Sequence, residues 1–250
     1  MPRIVETFQD HVGSVRKLMG FDREVLGIAI ANVRDLRDKL VRHHTLDNPQ
    51  LTAERTLEIL EGIREHDSLR PRYQTIFNQA LVLVVSYFAS SVHDLLRRGI
   101  HHALEATPES PVLREEFRLT LRDLKDVDFA VREVAPDFLI ESKDISFQDM
   151  QSIARAFGSY FEIEIERSES VNDIILGQAC RHVIVHAGGV VNDQTIRQVS
   201  SATPRRVKSK LVSGTIVQFV PDEVELIAES MTTYLESVSR SVGAKFGVEV

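Results

Sequence analysis

The sequence predicts an all-α protein, and three observations carry that reading. Glycine and proline are sparse, 12 and 8 in 250 residues, so few positions interrupt regular structure. Between them, long stretches carry apolar residues at a spacing near 3.6, the period of a helix with one buried face. Composition supplies the third: 43% hydrophobic and 27% charged residues belong to a globular chain that can build a core, which excludes collagen-like, mucin-like and disordered classes.

Taken in order, Asp22 is a candidate N-cap for a helix over Arg23 to His44, whose apolar positions include Val25, Leu26, Ile30, Val33 and Leu40. Asn48-Pro49 breaks it, and Thr52 to Arg64 repeats the pattern through Leu57, Leu60 and Ile63. Pro71 suits the first turn of a longer helix reaching about Leu104. Its apolar run, Ala80 to Ala89, is about half of the roughly 20 residues that a bilayer span needs, so it reads as part of a buried helix. Ser110-Pro111 is a cap followed by proline at the first helical position, and the charged segment Arg114 to Arg132 is expected to hold one or two short helices.

Ser146 with Asp149 resembles a capping box, opening a helix from Phe147 to about Tyr160. A helix from Val171 to Ala187 stops at Gly188-Gly189, Asp193 caps a short helix through Val199, and Thr203-Pro204 is a further break. Strand-like residues on both sides of Gly214 predict a small β-hairpin within Leu211 to Val220, before a last helix from about Asp222 to Ser241. With no internal repeat and no clear linker, the chain is expected to be one globular unit. In it, residues 1–66 form an N-terminal helical extension packed on a core of residues 67–250.

A formal charge of -7 argues against a protein that coats nucleic acid through its overall field and leaves room only for a local basic site. One cysteine cannot form an internal disulfide, and it excludes every multi-cysteine zinc framework, so a reducing, cytoplasmic setting is expected. The start, MPRIVETFQDH, lacks the basic, apolar, small-residue order of a secretory signal.

Chemistry concentrates in Gly177 to Asp193, GQACRHVIVHAGGVVND, which puts Arg181, His182 and His186 into a helix otherwise almost wholly apolar. At about 100° per residue, Gln178 and these three fall within roughly a 140° arc, shared with Val185, Ile174 and Ile175, and could line one cleft. His182 and His186 are about 40° apart, whereas Arg181 and His186 are about 140° apart and meet only through the arginine's reach or across a second subunit. An imidazole exchanges protons near neutral pH, and a guanidinium holds a phosphate and stabilises charge growing on its oxygens. That is the chemistry of a metal-free ribonuclease, in which the RNA 2′-hydroxyl attacks the adjacent phosphate and no metal or cofactor is demanded.

Two other readings stand beside it. The arginine and histidines could be satisfied polar groups of the core or of a surface network. Alternatively, His182 and His186 could present two imidazoles to a metal from one helix face, although no Glu lies between them and no third ligand follows by spacing. Cys180 reads as a small buried hydrophobe. The basic run PRRVKSK offers Arg205, Arg206, Lys208 and Lys210 as candidate RNA-binding cations, against the alternative of a solvated loop. Arg97-Arg98 with His101-His102, and likewise His43-His44, stand at helix ends, where cations are favoured without any functional role.

Arg181-His182-Val183-Ile184-Val185-His186 fits the R-x4-6-H motif and resembles the HEPN superfamily, including the polar residue that commonly follows the arginine. Its surroundings are similar to the RiboL-PSP-like branch associated with bacterial defence, through QALVLVVSYFASSVHDLL, ISFQDMQSIARAFGSYFEIEI, RHVIVHAGGVVND and SGTIVQFVPDEVELIAESM. The similarity covers roughly Thr75 to Ser239, leaving the chain before Thr75 and Glu105 to Glu141 outside it. It implies a HEPN-type helical bundle acting as a homodimer, with the motifs of two subunits facing each other across a cleft. Arg181 and His186 match the two catalytic positions and His182 the intervening polar one. The implied activity is endoribonucleolytic cleavage to a 2′,3′-cyclic phosphate and a 5′-hydroxyl, in a toxin or phage-defence effector restrained by an antitoxin or regulatory protein. The alternative is a non-catalytic dimer that binds RNA or a partner protein through the same cleft.

Overall fold

The computed structural model describes residues 2–42, 47–65, 74–106 and 110–247, and the architecture is all-α: nine α-helices and no strand among the described residues. The fold assembles on α3 (Gln74–Ala106), which packs against α1 (Pro2–Arg42), α5 (Val131–Ser142), α6 (Met150–Phe161), α7 (Glu169–His186) and α9 (Pro221–Phe246). Leu81, Val84, Val85, Phe88, Leu95, Leu96 and Ile100 of α3 are all buried. By length and composition alone this helix could cross a membrane; here its apolar residues form the centre of the bundle's core. A Cβ at Gly99 would lie 2.5 Å from the Phe161 ring, so glycine is what lets the end of α6 close onto α3.

At the N-terminus the structure corrects the expected helix start. α1 is already helical at Pro2, and Asp22 lies inside it and caps nothing. The residues ahead of Asp22 carry their own stripe, Ile4, Phe8, Val12 and Val15, buried in the main core, and that packing outweighs the low propensity of the single glycines in α1. The second half of α1 pairs with α2 (Asp47–Glu65), where Ala53 and Leu57 are buried. Asn48-Pro49 falls within the first turn of α2, where a missing proline N–H costs nothing, so it opens a helix instead of only ending one. The helix end expected at His43-His44 and the start expected at Pro71 lie outside the described residues.

Beyond α3, Ser110-Pro111 opens a single 3-10 turn, Pro111–Arg114. α4 (Leu121–Asp126) opens on a capping box between Thr120 and Asp123, and hydrogen bonding from Thr120 holds the Asp123 carboxyl below the ordinary aspartate range. α5 was hidden in the sequence by Pro136, which sits inside the helix and is buried there. α6 takes its cap from Asp149, whose carboxylate accepts from Gln151 N at 3.2 Å and Ser152 N at 3.1 Å, while Ser146 caps no helix. α7 is capped by Ser168 and ends where Gly188 and Gly189 adopt φ of +59° and +80°, a left-handed turn that glycine accommodates. Asn192, not Asp193, caps α8 (Asp193–Val199), accepting from Thr195 N at 2.9 Å.

The expected β-hairpin over Leu211 to Val220 does not form. Its one bridge runs instead between Ile216 and Val190, just past the end of α7, with Val191 N donating to Thr215 O at 2.9 Å and Val217 N donating to Gly189 O at 2.9 Å. The Asn78 carboxamide of α3 serves the remaining edge: its Nδ2 donates to Val217 O at 3.0 Å and its Oδ1 accepts from Phe219 N at 3.0 Å. A side-chain amide thus satisfies the backbone that a second strand would have paired, and Val217 and Phe219 are free to bury.

Candidate functional site

Arg181, His182 and His186 are carried by α7. Ile174, Leu176, Ala179, Cys180 and Val183 are buried and fix that helix's inner face. The opposite arc opens to solvent near its C-terminal end, leaving His182 and His186 exposed and Arg181 half-buried. The two imidazole rings lie 4.8 Å apart between centroids, tilted by 49°, as the one-turn spacing requires.

Arg181 is turned the other way, toward the segment ahead of α6, where its Nη1 donates to Gln148 Oε1 at 2.7 Å. That segment is itself pinned by Gln178, only 4% exposed, whose Oε1 accepts from Met150 N at 3.1 Å and whose Nε2 donates to Phe147 O at 3.4 Å. Gln178 therefore positions Gln148, and Gln148 positions the guanidinium. Both are neutral. Among the described residues no carboxylate pairs with Arg181, so its positive charge is oriented but not neutralised.

Beside this motif lies a cleft of about 520 Å³, walled by Gln148, His182, Asn192, Gln194, Arg197 and Gln198. Of the three motif residues His182 lines this cleft, Arg181 reaches its wall through Gln148, and His186 is not part of the lining. Within a single chain it places Arg181 and His186 in different contacts, the arginine on Gln148 and the histidine against His182. Among the described residues, no group of three His, Cys, Asp or Glu side chains gathers, so the imidazole pair has no third protein ligand for a metal. Cys180 is fully buried, and burial pushes its thiol up to about 12.

The PRRVKSK run is built quite differently. Arg205 donates to four backbone carbonyls, those of Val199, Ala202, Lys208 and Ser209, and so ties its own loop together. Arg206 Nε donates to Asp173 Oδ2 at 2.8 Å and its Nη2 to Ser230 Oγ at 2.6 Å, while the backbone N–H groups of Arg206 and Val207 donate to the other Asp173 oxygen. Asp173 is completely buried, so this arginine is the counter-charge of a core carboxylate. Lys208 pairs with Glu223 at 2.9 Å and lies 4.8 Å over the Phe219 ring. Of the four expected RNA-binding cations, Arg205, Arg206 and Lys208 are paired with groups of the fold, Arg206 while still exposed, and Lys210 is exposed.

At the end of α3, Arg97 pairs with Asp137 at 2.8 Å and His101 lies 3.6 Å from Glu105, consistent with the structural role expected there. Sequence reasoning missed Gln148, Asn192, Gln194, Arg197 and Gln198 as cleft residues, and Asp173 as the partner of Arg206. For Asp173 a signal existed, since a lone aspartate in the apolar helix Val171 to Cys180 needs a partner. The carboxamides carried none, because a surface glutamine looks the same whether or not it faces a cleft. Compared with known families, curated proteins and solved structures, the chain matches none.

Proposed function

We propose that the chain is a metal-independent endoribonuclease of HEPN type, acting as a cytoplasmic homodimer in which two α7 motifs share one cleft. The observation that carries this reading is the Arg181 guanidinium, oriented by a neutral carboxamide beside two exposed imidazoles. A cation held without a counter-charge is suited to an anionic ligand, and the adjacent imidazoles can move protons on it.

In the reaction, one imidazole takes the proton from the RNA 2′-hydroxyl as its oxygen attacks the neighbouring phosphorus. The P–O5′ bond breaks, and the departing 5′-oxygen takes a proton from a second acid. The products are a 2′,3′-cyclic phosphate and a 5′-hydroxyl, and DNA, lacking the 2′-hydroxyl, is inert. His186 acts as general acid or base, Arg181 binds the phosphate and stabilises its developing charge, and His182 is an auxiliary proton or phosphate contact. Such an activity suits a toxin or phage-defence effector and calls for an antitoxin or regulatory partner.

The test is incubation of purified protein with labelled RNA in excess chelator, beside Arg181→Ala and His186→Ala. Cleavage that survives chelation and disappears in both variants supports the reading. Intact RNA that is nonetheless bound gives the site to a non-catalytic, RNA-binding dimer, and a chain that sediments as a monomer at micromolar concentration removes the shared cleft.

A further inference from the structure

The cleft beside His182 has a chemistry of its own. Gln194 and Gln198 stand one helical turn apart on α8 with Arg197 next to them, all three exposed and with side chains that have no hydrogen-bond partner among the described residues. Their helix is nevertheless firmly placed. Thr195 and Val199 are buried, and the Asn192 carboxamide accepts from both Thr195 N and Thr195 Oγ1, at 2.9 and 3.0 Å. Across the cleft, Gln148 is held by Arg181, and His182 offers an exposed ring face.

We propose that this cleft is a subsite for a purine base of the substrate; the proposal rests on the ribonuclease reading for its place next to the scissile phosphate. The volume, about 520 Å³, lies in the range of small-ligand pockets, roughly 300 to 1,000 Å³. The lining has one cation, Arg197, among the carboxamides of Gln148, Asn192, Gln194 and Gln198, so most of its polar groups carry an acceptor that a phosphate cannot use. It is well matched to a base edge. A carboxamide presents a donor and an acceptor side by side, the complement of adenine N6 and N7, and a guanidinium presents two donors, the complement of guanine O6 and N7. An unpaired pyrimidine also offers a donor and an acceptor on its Watson–Crick edge, but it lacks the N7 edge that both patterns use and has one ring where a purine has two to lie on an imidazole. The His182 ring supplies a face on which an unstacked base can lie, as single-stranded RNA readers provide with aromatic side chains.

The experiment is calorimetric titration of the full chain, in excess chelator, with AMP, GMP, CMP and UMP, repeated on Gln194→Ala/Gln198→Ala and on Arg197→Ala. The expected result is that AMP or GMP binds at least tenfold more tightly than CMP and UMP, and that the variants, melting like the wild type because these side chains are exposed, lose that difference. Equal affinity for all four, absence of binding, or a purine preference that survives in all variants overturns the subsite. The readout is independent of cleavage. Purine-selective binding by a chain that leaves RNA intact keeps the subsite and removes the ribonuclease, whereas RNA cleavage without purine-selective binding does the reverse.

Discussion

Two cationic clusters lie about twenty residues apart in the sequence and look alike there: RHVIVH at the end of α7 and PRRVKSK after α8. The fold treats them in opposite ways. Arg206 faces a fully buried carboxylate and Arg205 faces four carbonyls, so the second cluster satisfies groups that the core cannot leave bare. Arg181 faces one neutral carboxamide, and both histidines of the first cluster face solvent. The partner distinguishes the two clusters: a buried carboxylate and backbone carbonyls for one, a neutral carboxamide for the other.

The largest expected effect sharpens that contrast. Arg206→Ala leaves Asp173 buried without its counter-ion and is expected to destabilise the fold by about 3 kcal/mol, measured by urea unfolding. Adding Asp173→Asn should recover part of the loss; if the single change unfolds no more easily than wild type, the internal role of the second cluster is wrong. Arg205→Ala comes next, at about 2 kcal/mol, since several loop carbonyls lose their donor together.

Negligible at neutral pH, and on α7 itself, is the effect of Cys180, one residue before Arg181 and on the helix's inner face. Burial raises its thiol from 9.0 to about 12, so the neutral form is favoured in the folded chain. The resulting stability is complete below about pH 9 and is lost as pH rises from there toward 12, because the unfolded chain ionises first. Native protein at pH 8 should therefore resist iodoacetamide and react once unfolded in urea. Rapid alkylation of the native state would mean that the inner and outer faces of α7 are misassigned. Least affected should be stability in Arg181→Ala, His182→Ala and His186→Ala, each within about 0.5 kcal/mol of wild type, since no buried group depends on them.

How legible each region was follows the same physics. The all-α class and most helices were readable because a buried stripe imposes its period on the residues themselves, as in α6 and α9. α5 was obscured by Pro136, and the hairpin was inferred from strand-like residues whose real partners, Val190 and Asn78, lie far off in sequence. Within the site, Arg181, His182 and His186 stood out because polar residues in an apolar helix need a reason. The roles of Arg205 and Arg206 were not readable, because what occupies them depends on packing between α7, α9 and the loop that joins them to α8. The cleft's glutamines were invisible for a related reason: they are brought together from α8 and from the segment ahead of α6 only by folding.

The most direct test sets one arginine from each cluster against the other: the initial rate of RNA cleavage by Arg181→Ala and Arg206→Ala, in chelator, at a temperature where both are folded. On the proposed mechanism, losing the Arg181 guanidinium should lower the rate by about 100-fold or more, while Arg206→Ala cuts at the wild-type rate. The reverse pattern, with Arg206→Ala inactive and Arg181→Ala unimpaired, would contradict the account.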